Sequence, residues 1–226
     1  MKQFPLKELS GISVTDATVR IFRNGSLAAK NTGDLLITAF GFSGPAVLDA
    51  GRWIYAGDVL EISFVHLTSE ALDALIIERC KNDGAKAVSN LFYGLGVPER
   101  LIHALLSAAG VSESLKGAQL SAAARKSLVK AFTAYRAGVA QTGDFAAAMA
   151  TAGGVALSEV NKKTCGSKLC PNLFFAGEVL DIDGDTGGYN IQAAFSTAYL
   201  VASAIRTRNQ AGGSAADCAG EGAGTK

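Results

Sequence analysis

LFFAGEVLDIDGDTGGYNIQAAFSTAYLVASAI, residues Leu173 to Ile205, is the stretch whose reading decides the fold. Leu173 to Ala176 is a compact apolar run, Gly177, Gly184, Gly187 and Gly188 punctuate the residues after it, and Ile191, Ala194, Phe195, Ala198 and Ala202 recur at helical spacing. The pattern predicts a short buried parallel strand, a Gly/Asp loop and a helix that opens near Gly188. The first N–H groups of a helix have no intrahelical partner and carry the positive end of its dipole. Glycines there remove the Cβ atoms that hold a ligand away, so an anionic or electron-rich group can settle on the amides with a gain of about 0.3 to 2 kcal/mol. Glu178 and Asp181, just past the strand, are placed to accept hydrogen bonds from ligand hydroxyls.

Working outward, two long strings carry a family likeness. TGDLLITAFGFSGPAVLDAGR (Thr32 to Arg52) and ATAGGVALSEVNKKTCGSKLCPNLFFAGEVLDIDGDTGGYNIQAAFSTAYLVAS (Ala150 to Ser203) resemble, in order, the Ser-Gly-Pro segment and the closing signature of the BaiN/RdsA-like family of FAD-dependent oxidoreductases. With the spacer, the resemblance covers nearly everything up to about Ile205. It implies that the strand, loop and helix hold FAD. Gly177 and Glu178 are then the ribityl-contacting pair, with Asp181 beside them. Gly187, Gly188, Tyr189 and Asn190 form the turn whose amides face the flavin pyrimidine edge, and Gln192 completes the cofactor-binding set. The implied chemistry is hydride or electron-pair transfer through flavin N5, reducing an unsaturated bond in an organic or RNA substrate, with NAD(P)H as a compatible electron donor. No catalytic residue is assigned.

Two departures from the family pattern bear on this. Flavoproteins of this kind begin with a strand, a GxGxxG turn and a helix that hold the ADP half of FAD. Here Gly94 and Gly96 give G-x-G, but Glu99 occupies the third glycine position and no strand pattern precedes them. The expectation is therefore the C-terminal portion of a longer flavoprotein, completed by a missing N-terminal half or another chain. Ala39 stands where the family has a histidine after the threonine matched by Thr38, so the resemblance carries no acid/base role onto this loop. Ser43 and the amide of Gly44 remain candidate polar contacts to the ring, against the simpler reading that Gly41, Gly44 and Pro45 make a tight turn before a helix.

Composition bounds the alternatives. The chain has 226 residues, 49% hydrophobic and 18% charged, enough for one good-sized domain or a few small modules. A net charge of +1 without a Lys/Arg cluster argues against a nucleic-acid footprint on this part, DNA included, although a missing half can supply one. No apolar run approaches the roughly 18 residues of a membrane span and the N-terminus lacks a signal-peptide core, so a cytoplasmic location is expected. Cys80, Cys165, Cys170 and Cys218 are too scattered for a zinc knuckle and read as reduced thiols; a Cys165/Cys170 redox pair lacks C-x-x-C spacing. DIDGDTGGYNIQ starts like a calcium loop but has Thr186 at its sixth position and Gln192 at its twelfth, leaving Asp183 and Asp185 as loop carboxylates. His66 and His103 lack a nucleophile motif, and no metal site is predicted.

Changes of period organise the chain. Residues 1–66 read as the first part of a small antiparallel β-barrel-like insert, with TVRIF and VLEISFV as strands and Asn24-Gly25 as a hairpin turn. Residues 67–131 read as a helical subdomain: Leu72, Leu75, Ile76 and Cys80 mark one helix, Ile102, Leu105 and Leu106 a second opened by Pro98 and stopped by Gly110, and Leu128, Val129 and Phe132 a third. Residues 132–143 return to the barrel as a strand. Residues 144–205 form the C-terminal part of a FAD-binding Rossmann-type domain, with Phe145 to Met149 as a short helix, and 206–226 an unstructured tail. The fold class is thus α+β with an α/β closing segment. The function expected is part of a flavoprotein oxidoreductase; the alternative is a truncated, non-catalytic remnant or interaction module that binds no flavin alone.

Overall fold

The structure is a computed structural model that describes residues 4–143, 145, 146 and 148–217, with side chains to residue 210. The chain divides between residues 143 and 144 into two compact units.

In the first unit, β1 (Ser13–Arg23) and β2 (Ser26–Ile37) form a long hairpin. Its turn is Asn24-Gly25, both at positive φ, the backbone that matches the right-handed twist of the flanking strands. β3 (Phe42–Ser43), β4 (Val59–Ser63) and β5 (Tyr135–Gly138) complete an antiparallel sheet of order β3-β2-β1-β4-β5. β3 and β5 are its edges, yet the rings of Phe42 and Tyr135 lie 6.3 Å apart, edge to face. The expected barrel is therefore a curled, open sheet whose two edges are drawn together by aromatic contact.

Alternation along β1 puts Val14, Ala17, Val19 and Ile21 on the buried face and Thr18, Arg20 and Phe22 on the other. Against the buried face pack α2 (Ser69–Asp83), α3 (Glu99–Ala108) and α4 (Ala122–Thr133). Thr68 caps α2 by accepting the Ala71 N–H at 3.2 Å, and Ser121 caps α4 by accepting that of Ala124 at 3.2 Å. Leu72 and Ile76 of α2, Leu101, Ile102, Leu105 and Leu106 of α3, and Leu128 and Phe132 of α4 are fully buried. Phe92 stacks on Phe132 with centroids 4.1 Å apart. One core joins sheet and helices, so residues 67–131 cover the sheet rather than standing apart from it.

The single tight turn expected at Gly41, Gly44 and Pro45 is split by β3: Gly41 closes a turn on Thr38, and Gly44 then caps a one-turn helix, α1 (Pro45–Leu48), whose Pro45 and Ala46 carbonyls accept from the Asn31 side chain. Gly94 and Gly96 lie between a 3-10 turn (Val88–Phe92) and α3, with no strand before them.

The second unit holds three corrections. The run from Leu173 to Ala176 is not a strand of a parallel sheet: Phe174 makes one antiparallel bridge with Gly166, and the nearest parallel pairing is a single bridge between Val155 and Leu180. A parallel strand persists when neighbours on both sides take its hydrogen bonds, and among the described residues this segment has only residues 165–167 to pair with. Residues 145, 146, 148 and 149 are turn and bend rather than helix. The closing helix α5 runs Tyr189–Asp217, well past Ile205. The unstructured tail expected from residue 206 is helical as far as Asp217, across the poor helix formers Gly212 and Gly213, because extending a helix that is already formed needs no new nucleus; residues 218–226 lie outside the described residues.

Asp58 contributes to the acid side of the first unit's stability. Its carboxylate is held below the ordinary carboxylate range by hydrogen bonds from Arg23 and from the Tyr55 N–H. Lowering the folded-state value makes this pair stabilising above the ordinary carboxylate pKa, and that contribution disappears as pH falls through the folded value. Asp58→Asn is expected to destabilise the unit at neutral pH and to flatten its loss of stability below about pH 4, read by urea melts across pH. A parallel acid limb in both proteins would contradict the assignment.

Candidate functional site

The loop–helix segment predicted to carry the site is built around backbone. After the extended run at 173–176, Gly177–Val179 makes a 3-10 turn, and residues 180–188 lead into α5. The Gly177 N–H donates to Thr197 Oγ1 at 3.0 Å, and that hydroxyl donates back along its own helix to the Ala193 carbonyl at 2.7 Å. Thr197 is buried, so this one side chain ties the start of the loop to the third turn of α5.

Asn190 closes the loop. Its Oδ1 accepts the Gly184 N–H at 2.8 Å and its Nδ2 donates to the Gly184 carbonyl at 2.9 Å, imitating a pair of ladder hydrogen bonds. The carboxamide therefore serves the loop backbone. Gly187 and Gly188 come next to the helix start with φ of 111° and 92°, a backbone that side-chain-bearing residues resist. A Cβ on Gly188 would meet nothing within 4 Å, so the space beside the first turn is open. The Gln192 N–H bonds the Gly188 carbonyl at 2.9 Å, which leaves the amides of Tyr189, Asn190 and Ile191 without intrahelical partners.

The remaining predicted residues fall around this opening. Glu178 is exposed, and its Oε1 accepts the Thr151 N–H at 2.7 Å, tying the 3-10 turn to the preceding loop. Asp181 is exposed, and its N–H bonds the Val155 carbonyl. Tyr189 is exposed beside Gly187, and Gln192 donates from Nε2 to Ser196 Oγ at 3.1 Å, one turn along. Gly154 approaches so closely that a Cβ would lie 2.6 Å from the Val179 carbonyl oxygen. The positions that sequence reasoning missed, Thr151, Gly154 and Thr197, fix the site through backbone groups. No sequence signal marks the close approach of Gly154 to residues 179–181.

Cys165 is buried and its thiol is pushed up by that burial, whereas Cys170 is exposed; both are free. The buried, protonated thiol fits a packing role, with Val160 and Leu180 as core partners. Among the described residues there is no cluster of His, Cys, Asp and Glu suited to a metal, and no helix is long and apolar enough to cross a membrane. His66 is exposed, and His103 lies between Glu99 and Glu113, with Nδ1 3.0 Å from the Glu113 carboxylate.

One face of α5 is apolar and open. Ile191, Phe195 and Tyr199, four residues apart, are 65%, 72% and 71% exposed. The buried side of the same helix offers Leu200 and Val201 to a small core of Val160, Cys165 and Leu180.

Comparison with known proteins agrees with the layout. Residues 4–204 match the family described as HI0933-like protein Rossmann domain. The chain is 29% identical over 216 residues to a 3-dehydro-bile acid delta(4,6)-reductase of Clostridium scindens, covering 92% of this chain and 52% of that protein. It is 31% identical over 198 residues to a ribosomal RNA dihydrouridine synthase of Escherichia coli, covering 87% of this chain and 47% of the relative. A ribosomal RNA dihydrouridine synthase of Haemophilus influenzae is 31% identical over 173 residues, 76% of this chain and 42% of its own. The chain belongs to the HI0933-like Rossmann-domain family, in agreement with its two signature strings. It spans about half the length of the curated relatives it matches.

If Asn190 holds the loop, Asn190→Ala is expected to raise amide hydrogen exchange at Gly184 markedly, since a lost net hydrogen bond of about 1 kcal/mol corresponds to roughly fivefold in local opening. Unchanged protection at Gly184 would assign the loop's shape to other contacts.

Proposed function

We propose that this chain is the flavin-contacting portion of a FAD-dependent oxidoreductase that reduces an unsaturated bond. The observation that carries the reading is the α5 N-terminus: amides without intrahelical partners, two glycines at positive φ and open space where a side chain would stand. Flavin, when bound, supplies hydride transfer through N5.

The chain's own residues have definable work. The amides of Gly187, Gly188, Tyr189 and Asn190 face the pyrimidine edge of the ring, where fixed dipoles stabilise the negative charge of the reduced form without a dedicated acid. Gly177 and Glu178 take the ribityl chain. The second carboxylate oxygen of Glu178 does this while Oε1 stays on the Thr151 N–H. Asp181 and Gln192 flank the opening, and Tyr189 covers one side of it. The Asn190 carboxamide acts indirectly, by keeping the two glycines in place.

No segment of this chain supplies a strand, GxGxxG turn and helix for the ADP half of FAD, so that half comes from further polypeptide, joined to this one or separate. The apolar stripe of Ile191, Phe195 and Tyr199 supports the same reading, since a helix of a doubly wound fold buries such a stripe against a parallel sheet. The names of two relatives, a 3-dehydro-bile acid delta(4,6)-reductase and a ribosomal RNA dihydrouridine synthase, support an organic molecule or RNA as the substrate classes to test, with NAD(P)H as the donor to try first.

The test is an absorbance and fluorescence scan with added FAD, on the chain alone and on the chain combined with a polypeptide carrying a GxGxxG half. Bound flavin is expected in the combined sample. Gly188→Val should weaken it about tenfold or more, by placing a branched side chain at a positive φ and over the amides. Glu178→Ala should cost less, in line with one hydrogen bond of about 0.5 to 1.5 kcal/mol. No flavin in either sample, or equal occupancy in Gly188→Val, would overturn the proposal.

A further inference from the structure

Three arginines of the first compact unit grip a carboxylate with the same edge, the fork of Nε and Nη2. Arg23 meets Asp58 at 2.9 Å from each nitrogen, Arg125 meets Asp73 at 2.7 and 3.4 Å, and Arg136 meets Glu61 at 2.9 Å from each. The fork is planar and rigid and fits the two oxygens of a carboxylate. In Arg79, on α2, the same edge meets no acid. Arg79 Nη1 donates to the Leu91 carbonyl at 2.6 Å and to the Tyr93 carbonyl at 3.1 Å, which uses both of its N–H groups. Among the described residues no carboxylate pairs with this guanidinium, and its Nε and Nη2 have no protein acceptor. Two neutral carbonyls fix the plane of the group and leave its charge uncompensated.

Arg79 is half-buried and lines a cleft of about 390 Å³ together with Asp83, Lys86, Asn90, Leu91 and Tyr93. The Asp83 carboxylate is taken by Lys86 Nζ at 2.8 Å, so the formal charge of the lining is one positive, carried by Arg79. The Asn90 carboxamide has no protein partner among the described residues either. Leu91 is buried, and the Tyr93 ring, 41% exposed, is fixed by its hydroxyl, which donates to Glu99 Oε1 at 2.7 Å.

The walls are held independently of anything in the cleft. The Gly117 N–H bonds the Lys86 carbonyl at 3.0 Å and the Ala118 N–H bonds the Gly84 carbonyl at 2.9 Å. Gly84 sits so close to α2 that a Cβ would lie 2.6 Å from the Cys80 carbonyl oxygen. A ligand therefore meets a preformed surface and bears little ordering cost.

The chemistry selects among anions. A phosphate monoester carries roughly two negative charges at neutral pH, against one uncompensated cation here, with Lys86 already committed to Asp83. A carboxylate carries one charge and has two coplanar oxygens for Nε and Nη2. The volume lies at the lower end of the range for small-molecule sites, and Leu91 and the flat Tyr93 ring offer apolar surface beside the charge. We propose that Arg79 and Asn90 form a binding site for a small organic monocarboxylate, with its oxygens on the Arg79 fork and its body against Tyr93. The site lies wholly in the first unit and does not depend on the cofactor reading.

Benzoate is the probe, a carboxylate on a flat ring. Amide and arginine Nε–Hε resonances of the isotope-labelled full chain are followed as benzoate is added, with uncharged benzamide and inorganic phosphate titrated in parallel at matched ionic strength. Saturable shifts with a millimolar Kd are expected at Arg79 Nε–Hε and at the amides of Lys86, Asn90 and Tyr93, with none from benzamide and weaker ones from phosphate. Asn90→Asp, a change at an exposed position that adds a second carboxylate to the cleft, should weaken benzoate about tenfold or more while the remaining resonances stay in place. Arg79→Lys keeps the charge without the fork and should weaken it about tenfold as well. Because Arg79 also holds two backbone carbonyls, the Asn90 variant decides the matter if Arg79→Lys unfolds. Absence of saturable shifts at these residues, equal affinity in Asn90→Asp, or tighter binding of phosphate or benzamide than of benzoate would overturn the proposal.

Discussion

The two hydrogen bonds between the Asn190 carboxamide and the Gly184 backbone are the constraint on which the loop–helix geometry depends. A loop of glycines and aspartates has little apolar content with which to fix itself. It is ordered by polar groups returning to the main chain. Asn190 does this from the first turn of α5, Thr197 from the third, and Glu178 from the 3-10 turn. With the loop tied at three points, Gly187 and Gly188 sit at the helix start at positive φ, with open space where a side chain on Gly188 would stand.

The two compact units illustrate different balances of forces. The first buries the inner face of a curled sheet and three helices in one core, and could support its own folding on that basis. The second has a core of three buried residues, Val160, Cys165 and Leu180, and a helix that turns Ile191, Phe195 and Tyr199 to solvent. Its order is carried by backbone hydrogen bonds and close approaches such as that of Gly154 to the Val179 carbonyl. The chain spans about half the length of the curated relatives it matches.

Local pattern made much of this legible. Alternation located β1 and β4, Asn24-Gly25 located the turn that joins β1 to β2, and apolar spacing located α2, α3 and α4, because each depends on neighbours a few residues away. The apolar run before Gly177 misled because such a run becomes a strand only where partners exist, and partners are a property of the whole fold. The tail misled because composition does not register how far a nucleated helix propagates. In the site, the glycines and carboxylates were readable as loop chemistry, whereas the internal partners of Asn190 and Glu178 were not. Arg23, Asp58 and Tyr55 were invisible as a group, since the ion pair that gathers them joins residues 35 apart.

The central claim is that the amides opening α5 receive the flavin ring. It is tested most directly by amide chemical-shift mapping of the chain in complex with a polypeptide carrying the GxGxxG half, before and after addition of FAD. The account predicts that Gly187, Gly188, Tyr189 and Asn190 show the largest shifts in this chain, with smaller ones at Gly177 and Glu178. Shifts centred elsewhere in the chain, with Gly187 and Gly188 unmoved, would contradict it.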